Sequence, residues 1–274
     1  CASDTSDSVS VFPRPTAAFT SDTVCFGDTT SLVSTSKTTP PLGGSINIYN
    51  WTLPVNVQQT DTSLKYVYPS HGQAATKLVV TDVNGCKDSI NHNVIIDTLP
   101  LASFTSDTAC FGNLTAFTDQ SSGFGAAVNQ WNWNLGNSST SALQNPSVTY
   151  GAAGAYSVSL TVTDSKGCTD DTTQTVKVDT LPLASFTVAD ICLGDSASFT
   201  NTSTPGSNNL TTYKWNFGDG DSSSVSDPKH LYANHGKYNI QLFITDQNNC
   251  ASDTSDSVSV FPRPTAAFTS DTVC

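Results

Sequence analysis

The sequence predicts an all-β chain of tandem β-sandwiches, and three observations carry that prediction. Composition is the first. Every one of the 23 acids is Asp, and there is no Glu and no Met. Those two missing residues favour helices, while Ser, Thr, Val and Asp favour strands and turns. Periodicity is the second. In YNIQLFITD, Tyr238, Ile240, Leu242 and Ile244 alternate with Asn239, Gln241, Phe243 and Thr245. In YSVSLTVTD, Tyr156, Val158, Leu160 and Val162 alternate with Ser and Thr. A period of two buries one face of a strand and wets the other. Internal repetition is the third, and it sets the domain count.

Three units align. Each has a Trp, a Tyr 17 residues on, a Gly 4 further and a Cys 14 beyond that: Trp51/Tyr68/Gly72/Cys86, Trp133/Tyr150/Gly154/Cys168 and Trp215/Tyr232/Gly236/Cys250. A three-residue insertion before Trp51 accounts for the one irregularity. The expected domains are 13–97, 98–179 and 180–261. Residues 1–12 read as the last strand of a preceding domain, and 262–274 as the first strand of a following one. Within each unit the alternating strand meets a turn (DVNG, DSKG or DQNN) and then another strand (HNVII, TQTVKV or SVSVF). Short strands with regular turns over about 80 residues describe a sandwich. Trp51, Trp133 and Trp215 sit in mid-unit strands where a large ring fills the space between sheets, with Tyr68, Tyr150 and Tyr232 as further core. The joints read FPRP or DTLP, and their prolines make them stiffer than Gly/Ser linkers. Such sandwiches are expected head to tail as a semi-rigid rod.

Charge excludes several functions. Net charge is −12, with only 11 Lys and Arg spread thinly, so no basic patch is available for nucleic acid. No apolar run approaches the roughly 18–20 residues of a membrane span. The eight cysteines, at 1, 25, 86, 110, 168, 192, 250 and 274, are even in number and regular in spacing. That pattern reads as disulfides in an oxidising, extracellular setting. No CxxC or Cys/His cluster suggests zinc. No Ser or Cys nucleophile repeats with a base, and no Glu exists as general acid, so no catalytic residue and no enzyme activity is expected.

The third unit, YKWNFGDGDSSSVSDPKHLYANHGKYNIQLFITD, resembles the PKD (polycystic kidney disease) domain. Trp215, Phe217, Gly218, Asp219 and Gly220 match its W-D-F-G-D-G stretch; Pro228, His230, Tyr232, Gly236 and Tyr238 match the P-x-H-x-Y and G-x-Y-x-V that follow. Unit two keeps Trp133, Gly136, Pro146, Tyr150, Gly154 and Tyr156; unit one keeps Trp51, Tyr68 and Gly72. The resemblance implies Ig-like sandwiches acting as spacers or interaction modules of secreted and cell-surface proteins. The cysteine pattern is similar to tandem repeats in large secreted proteins of Bacteroidetes-type bacteria.

In such a sandwich the turn after the first strand (Cys25, Cys110, Cys192) lies far from the last hairpin turn of the same unit (Cys86, Cys168, Cys250). A strand of about 9 residues spans about 30 Å, and a disulfide needs Cα atoms about 4.4–6.8 Å apart. Pairing between units, Cys25–Cys168 and Cys110–Cys250, is therefore expected, with Cys192 and Cys274 bonding into later units. A kinked, short first strand favours the alternative within units: Cys25–Cys86, Cys110–Cys168 and Cys192–Cys250.

Asn216, Asp219 and Asp221 offer oxygen ligands for calcium, against a plain Gly-Asp-Gly turn. No other cofactor is expected. Eleven Asp-Ser/Thr triplets resemble the O-glycosylation motif of Bacteroidetes secreted proteins, at Ser8, Thr23, Thr29, Ser89, Thr98, Thr108, Thr172, Thr180, Ser196, Ser257 and Thr272. N-glycosylation sequons stand at Asn50, Asn113, Asn137, Asn201 and Asn209.

Residues 1–25 recur identically as 250–274, while 86–110 shares only 10 of those 25 residues. The units of 85, 82 and 82 residues make up the 249-residue offset between the two copies. The sequence thus reads as a window on a longer polymer with a three-domain period. The expected function is a disulfide-stapled extracellular fibre or adhesin stalk, with further repeats in cis, lateral contacts and attached glycans as partners. The alternative is a substrate- or carbohydrate-binding spacer of a secreted bacterial hydrolase, for which Trp131 and Phe243 are candidate exposed aromatics.

Overall fold

The computed structural model describes residues 9–40, 43–54 and 58–269. Ser8 and Thr272, like Cys1 and Cys274, lie outside the described residues. Every element among the described residues is a strand.

The middle unit shows the plan. One sheet orders Ala109–Cys110, Thr169–Asp179, Gly154–Asp164, Val128–Asn134 and Thr140–Ser141 side by side; the other orders Ser147–Thr149, Leu114–Asp119 and Phe104–Ser106. The two long strands pair antiparallel from Gly154↔Val178 to Thr163↔Thr169. Val158, Leu160 and Val162 face inward against Trp133, Phe104 and Phe117, and all are buried. The outer positions are Ser and Thr, as the two-residue period requires. Unit one repeats the plan, with Lys87–Asp97, Gly72–Asp82 and Ile46–Thr52 central to its larger sheet. Unit three does the same with Ala251–Phe261, Gly236–Asp246 and Leu210–Asn216, but its smaller sheet is split into two short pairs.

Each unit has its own core. These cores run from Ala17 to Ile96, Ala102 to Val178 and Ala184 to Val260. Trp51, Trp133 and Trp215 are all but fully buried. Each is met edge-on by a Phe from the opposite sheet, Phe19, Phe104 and Phe186, with centroids 5.0, 5.0 and 5.1 Å away. Each indole N–H donates to a backbone carbonyl ten residues on: Asp61, Leu143 and Val225. The buried Tyr hydroxyls are also satisfied. Tyr150 donates to Leu135 O and Tyr232 to Phe217 O, while Tyr68 pairs with Thr76. Trp131 is half-buried, its indole N–H on Asp119 Oδ2.

The first strand differs from the continuous strand of about nine residues expected for it. It breaks into two pieces that join different sheets. In unit one, Phe19–Ser21 runs antiparallel to the smaller sheet, and Val24–Cys25 then crosses to run parallel beside Lys87–Asp97. The same switch places Cys110 beside Asp179 and Cys192 beside Phe261. Each cysteine therefore reaches the C-terminal end of an 11-residue last strand, while the hairpin cysteine sits at the other end. At about 3.3 Å per residue, that separates the two by roughly 35 Å. Residues 9–12 and 262–269 form no strand.

Candidate functional site at the domain joints

The described chemistry concentrates where one unit meets the next. The hairpins carry an Asp four residues before the Cys: Asp82/Cys86, Asp164/Cys168 and Asp246/Cys250. In each, one carboxylate oxygen accepts the N–H of the residue two on and the N–H of the Cys, all at 2.9 Å. The residue before each Cys takes a left-handed conformation: Gly85 at φ 81°, Gly167 at 90° and Asn249 at 61°. Glycine and asparagine are the residues that tolerate it. The turn thus presents the thiol outward on a fixed frame.

Two disulfides use that frame. Cys25 bonds Cys168 and Cys110 bonds Cys250, with Cα atoms 5.5 and 5.6 Å apart. Each staples the far end of one unit to the near hairpin of the next. The within-unit pairs Cys25–Cys86, Cys110–Cys168 and Cys192–Cys250 do not form. The kink in the first strand changes its sheet but not its reach, so those thiols stay a strand length apart. Cys86 and Cys192 are unbonded.

Polar residues close the same joints. At the first, Lys166 from the unit-two hairpin pairs with Asp97, the last strand residue of unit one. At the second, Asp179 Oδ2 accepts Asn208 Nδ2 at 2.8 Å and Asn248 Nδ2 at 2.6 Å, and Lys177 Nζ lies 2.8 Å from Oδ1. Burial alone pushes the Asp179 carboxyl up, but these donors outweigh it and hold it below the usual carboxylate range. Linker backbone is fixed as well. Thr180 N–H donates to Ser207 Oγ at 2.9 Å, and Ala102 N–H to Asp170 Oδ2 at 2.8 Å. Asp97, Asp179, Lys166, Asn208 and Asn248 carry these contacts, and sequence reasoning did not single them out. The DTLP motif, twice placing Asp at the end of a last strand, was their visible signal.

The calcium candidates also make turn hydrogen bonds. Asn216 Oδ1 accepts Gly218 N–H at 2.9 Å, and Asp219 Oδ1 accepts Asp221 N–H at 3.2 Å. Asp219 Oδ2 lies 2.7 Å from His230 Nε2, and His230 stacks on Phe217 at 4.3 Å. Ligating atoms of Asp219, Asp221 and His230 come within 4.8 Å of one another, so His230 joins the two aspartates. Of the O-glycosylation candidates, Thr23, Thr29, Ser89, Thr108, Thr180 and Ser196 are exposed; Thr98, Thr172 and Ser257 are half-buried. Asn50, Asn113 and Asn209 are exposed, while Asn137 and Asn201 are half-buried.

A tandem array of Ig-like sandwiches, covalently joined end to end, is the class this architecture defines. The PKD domain family model matches residues 97–180 and 179–260, and the chain belongs to that family. It is 36% identical over 117 residues to pre-pro-metalloprotease PrtV of Vibrio cholerae, which covers 42% of this chain and 12% of PrtV. It is 48% identical over 56 residues to a microbial collagenase of Vibrio alginolyticus, covering 18% of this chain and 7% of the collagenase. The chain thus spans only a small part of the length of these curated relatives. The PKD1 domain of Vibrio anguillarum Epp is 36% identical, covering 30% of this chain and 95% of that domain, with a TM-score of 0.29.

Proposed function

We propose that this chain is a non-catalytic structural segment of an extracellular stalk or fibre, each sandwich a bead and each joint a limited hinge. The observation that carries this is the pair of disulfides between consecutive units. A bond inside a sandwich stabilises that sandwich; a bond between sandwiches restricts their relative motion and resists separation under pull. Disulfides suit an oxidising setting outside the cell. Among the described residues no helix is long and apolar enough to cross a membrane. Sugars on the exposed Asp-Ser/Thr sites would shield sheet edges, which otherwise invite pairing between chains. The Asp219 loop serves as a turn in this proposal, with both Asp219 oxygens hydrogen-bonded, to the Asp221 N–H and to His230. Electron microscopy of native material tests the proposal: filaments with an axial repeat of one or three domains support it, and dispersed short particles count against it.

A second reading has its own support. The similarity to PrtV and to the collagenase favours a spacer or substrate-contacting module of a hydrolase. Phe243 is exposed beside Lys214, Phe26, Phe111 and Phe124 are exposed elsewhere, and Trp131 is half-buried. Binding of the isolated chain to a glycan or collagen-peptide array would favour that reading over the stalk.

A further inference from the structure

Three hairpins and three strand ends are built alike, yet only two of each are joined. The unjoined hairpin is that of Cys86, and the unjoined end is that of Cys192. Cys192 pairs in register with Phe261 as Cys25 does with Asp97 and Cys110 with Asp179. The backbone hydrogen bond that follows is also repeated: Phe26, Phe111 and Leu193 N–H donate to Asp97, Asp179 and Phe261 O, all at 2.8 Å. On the hairpin side, Asp82 holds Asn84 and Cys86 as its counterparts hold theirs.

Burial distinguishes the unjoined faces. The strand-end residue is 8% exposed at Asp97 and 1% at Asp179, where a neighbour covers it, but 52% at Phe261. The hairpin thiols Cys168 and Cys250 are buried, and Cys86 is only half-buried. Chemistry distinguishes them too. Asp97 and Asp179 face Lys166 and Asn248; Phe261 stands where those acids stand, and the exposed Asn84 of the Cys86 hairpin stands where Lys166 and Asn248 stand. The strand end is apolar here, and the hairpin residue facing it is uncharged.

An independent observation places the two faces together. Residues 9–15 repeat 258–264, so Phe12 is the sequence copy of Phe261. In the structure Cys86 Sγ lies 4.0 Å from Phe12 O. The Cys86 hairpin therefore already rests on the segment that, in the other copy, lies beside Cys192.

We infer that Cys192 of one copy of this repeat forms a disulfide with Cys86 of the following copy, across a joint where the Phe261 strand end meets the Cys86 hairpin. The partner is a second copy of this same three-domain repeat, in line along the chain. This deepens the stalk reading by making the bonds continuous from period to period. The oxidant is a small-molecule disulfide such as glutathione disulfide. The exposed Cys192 thiolate attacks one of its sulfurs and releases one glutathione thiolate. The Cys86 thiolate then attacks the protein sulfur of that mixed disulfide and releases the second. Two protein thiols lose two electrons and two protons; one glutathione disulfide becomes two glutathione thiols.

The test is a chain of two periods, residues 1–249 followed by 1–274, with the first copy's Cys1 and the final Cys274 replaced by Ser. After refolding in a glutathione redox buffer, thiols are blocked and non-reducing peptides mapped. A peptide joining Cys192 of the first copy to Cys86 of the second is expected, beside Cys25–Cys168 in both copies, Cys110–Cys250 in the second and, in the first, Cys110 bonded to the second copy's Cys1, which stands at the Cys250 place. Both thiols found blocked, or Cys192 joined to any other cysteine, overturns the inference. Phe12→Asp in the second copy, which occupies the Phe261 place of this joint, is expected to lower the effective concentration of this bond several-fold against glutathione while leaving the second copy's Cys110–Cys250 unchanged; an unchanged value overturns the role of this ring at the joint. If the bond is absent but the native material still forms filaments, the stalk reading survives and only this joint is wrong.

Discussion

Asp219 lies 2.7 Å from His230 Nε2 and accepts the Asp221 N–H on its other oxygen. Partial burial pushes its carboxyl up, but these bonds outweigh that and hold it below the ordinary value. In the unfolded chain an Asp titrates near about 3.9. A carboxyl depressed on folding gives stability that is complete above the unfolded pKa and is lost as pH falls through the folded one. Asp219→Asn is therefore expected to destabilise unit three at pH 5 and to do so less at about pH 2. Calorimetry at the two pH values checks this, and an equal deficit at both refutes it. Tyr150 and Tyr232 make a simpler case. Each hydroxyl donates to a buried carbonyl, so Tyr150→Phe or Tyr232→Phe is expected to cost about 1–2 kcal/mol in urea unfolding. The Trp, Tyr and Gly positions were legible because their spacing is constant across units. The His230–Asp219 contact was not. Alternation along KHL says which way His230 points, but not which loop crosses above it.

The hairpin before each Cys is the element that makes the joints. Its Asp carboxylate satisfies two backbone N–H groups and fixes the thiol's direction. Asp246→Ala removes both bonds at a buried turn. It is expected to cost about 1–3 kcal/mol and to slow formation of Cys110–Cys250 during oxidative refolding. Quenched time points with thiol blocking measure that rate; an unaltered rate would mean the turn does not present Cys250. These turns were readable as D-x-x-G or D-x-x-N after an alternating strand. The broken first strand was not readable. FTSDTVC and FTSDTAC carry no Gly or Pro at the switch, and which sheet each half joins depends on the edges that the other strands leave open. The disulfide partners followed from end-to-end distance, which the switch leaves unchanged.

The three cores are separate, so the disulfides act between folded bodies and not within them. Their closed loops are long, with separations of 143 and 140 residues. The chain-entropy model assigns a loop of that length about 5 kcal/mol, but only when everything inside it unfolds. A single unit that unfolds while its neighbours stay folded loses little of that constraint. Reduction is therefore expected to leave the far-UV spectrum unchanged at 25 °C while relaxing the joints. Of the two joints, the second keeps a strong polar lock after reduction, because Asp179 is held by Lys177, Asn208 and Asn248. Its folded pKa is depressed, so this lock is complete above about pH 4–5 and fails as pH falls further. Small-angle scattering on the reduced chain should thus show a longest dimension that varies more widely at pH 3 than at pH 7. Asp179→Asn should shift the pH 7 profile toward the pH 3 one. The oxidised chain should show little change between the two pH values, since the covalent staple holds the ends whatever the charge. A reduced chain whose scattering is the same at both pH values would mean that the joint is held by packing alone.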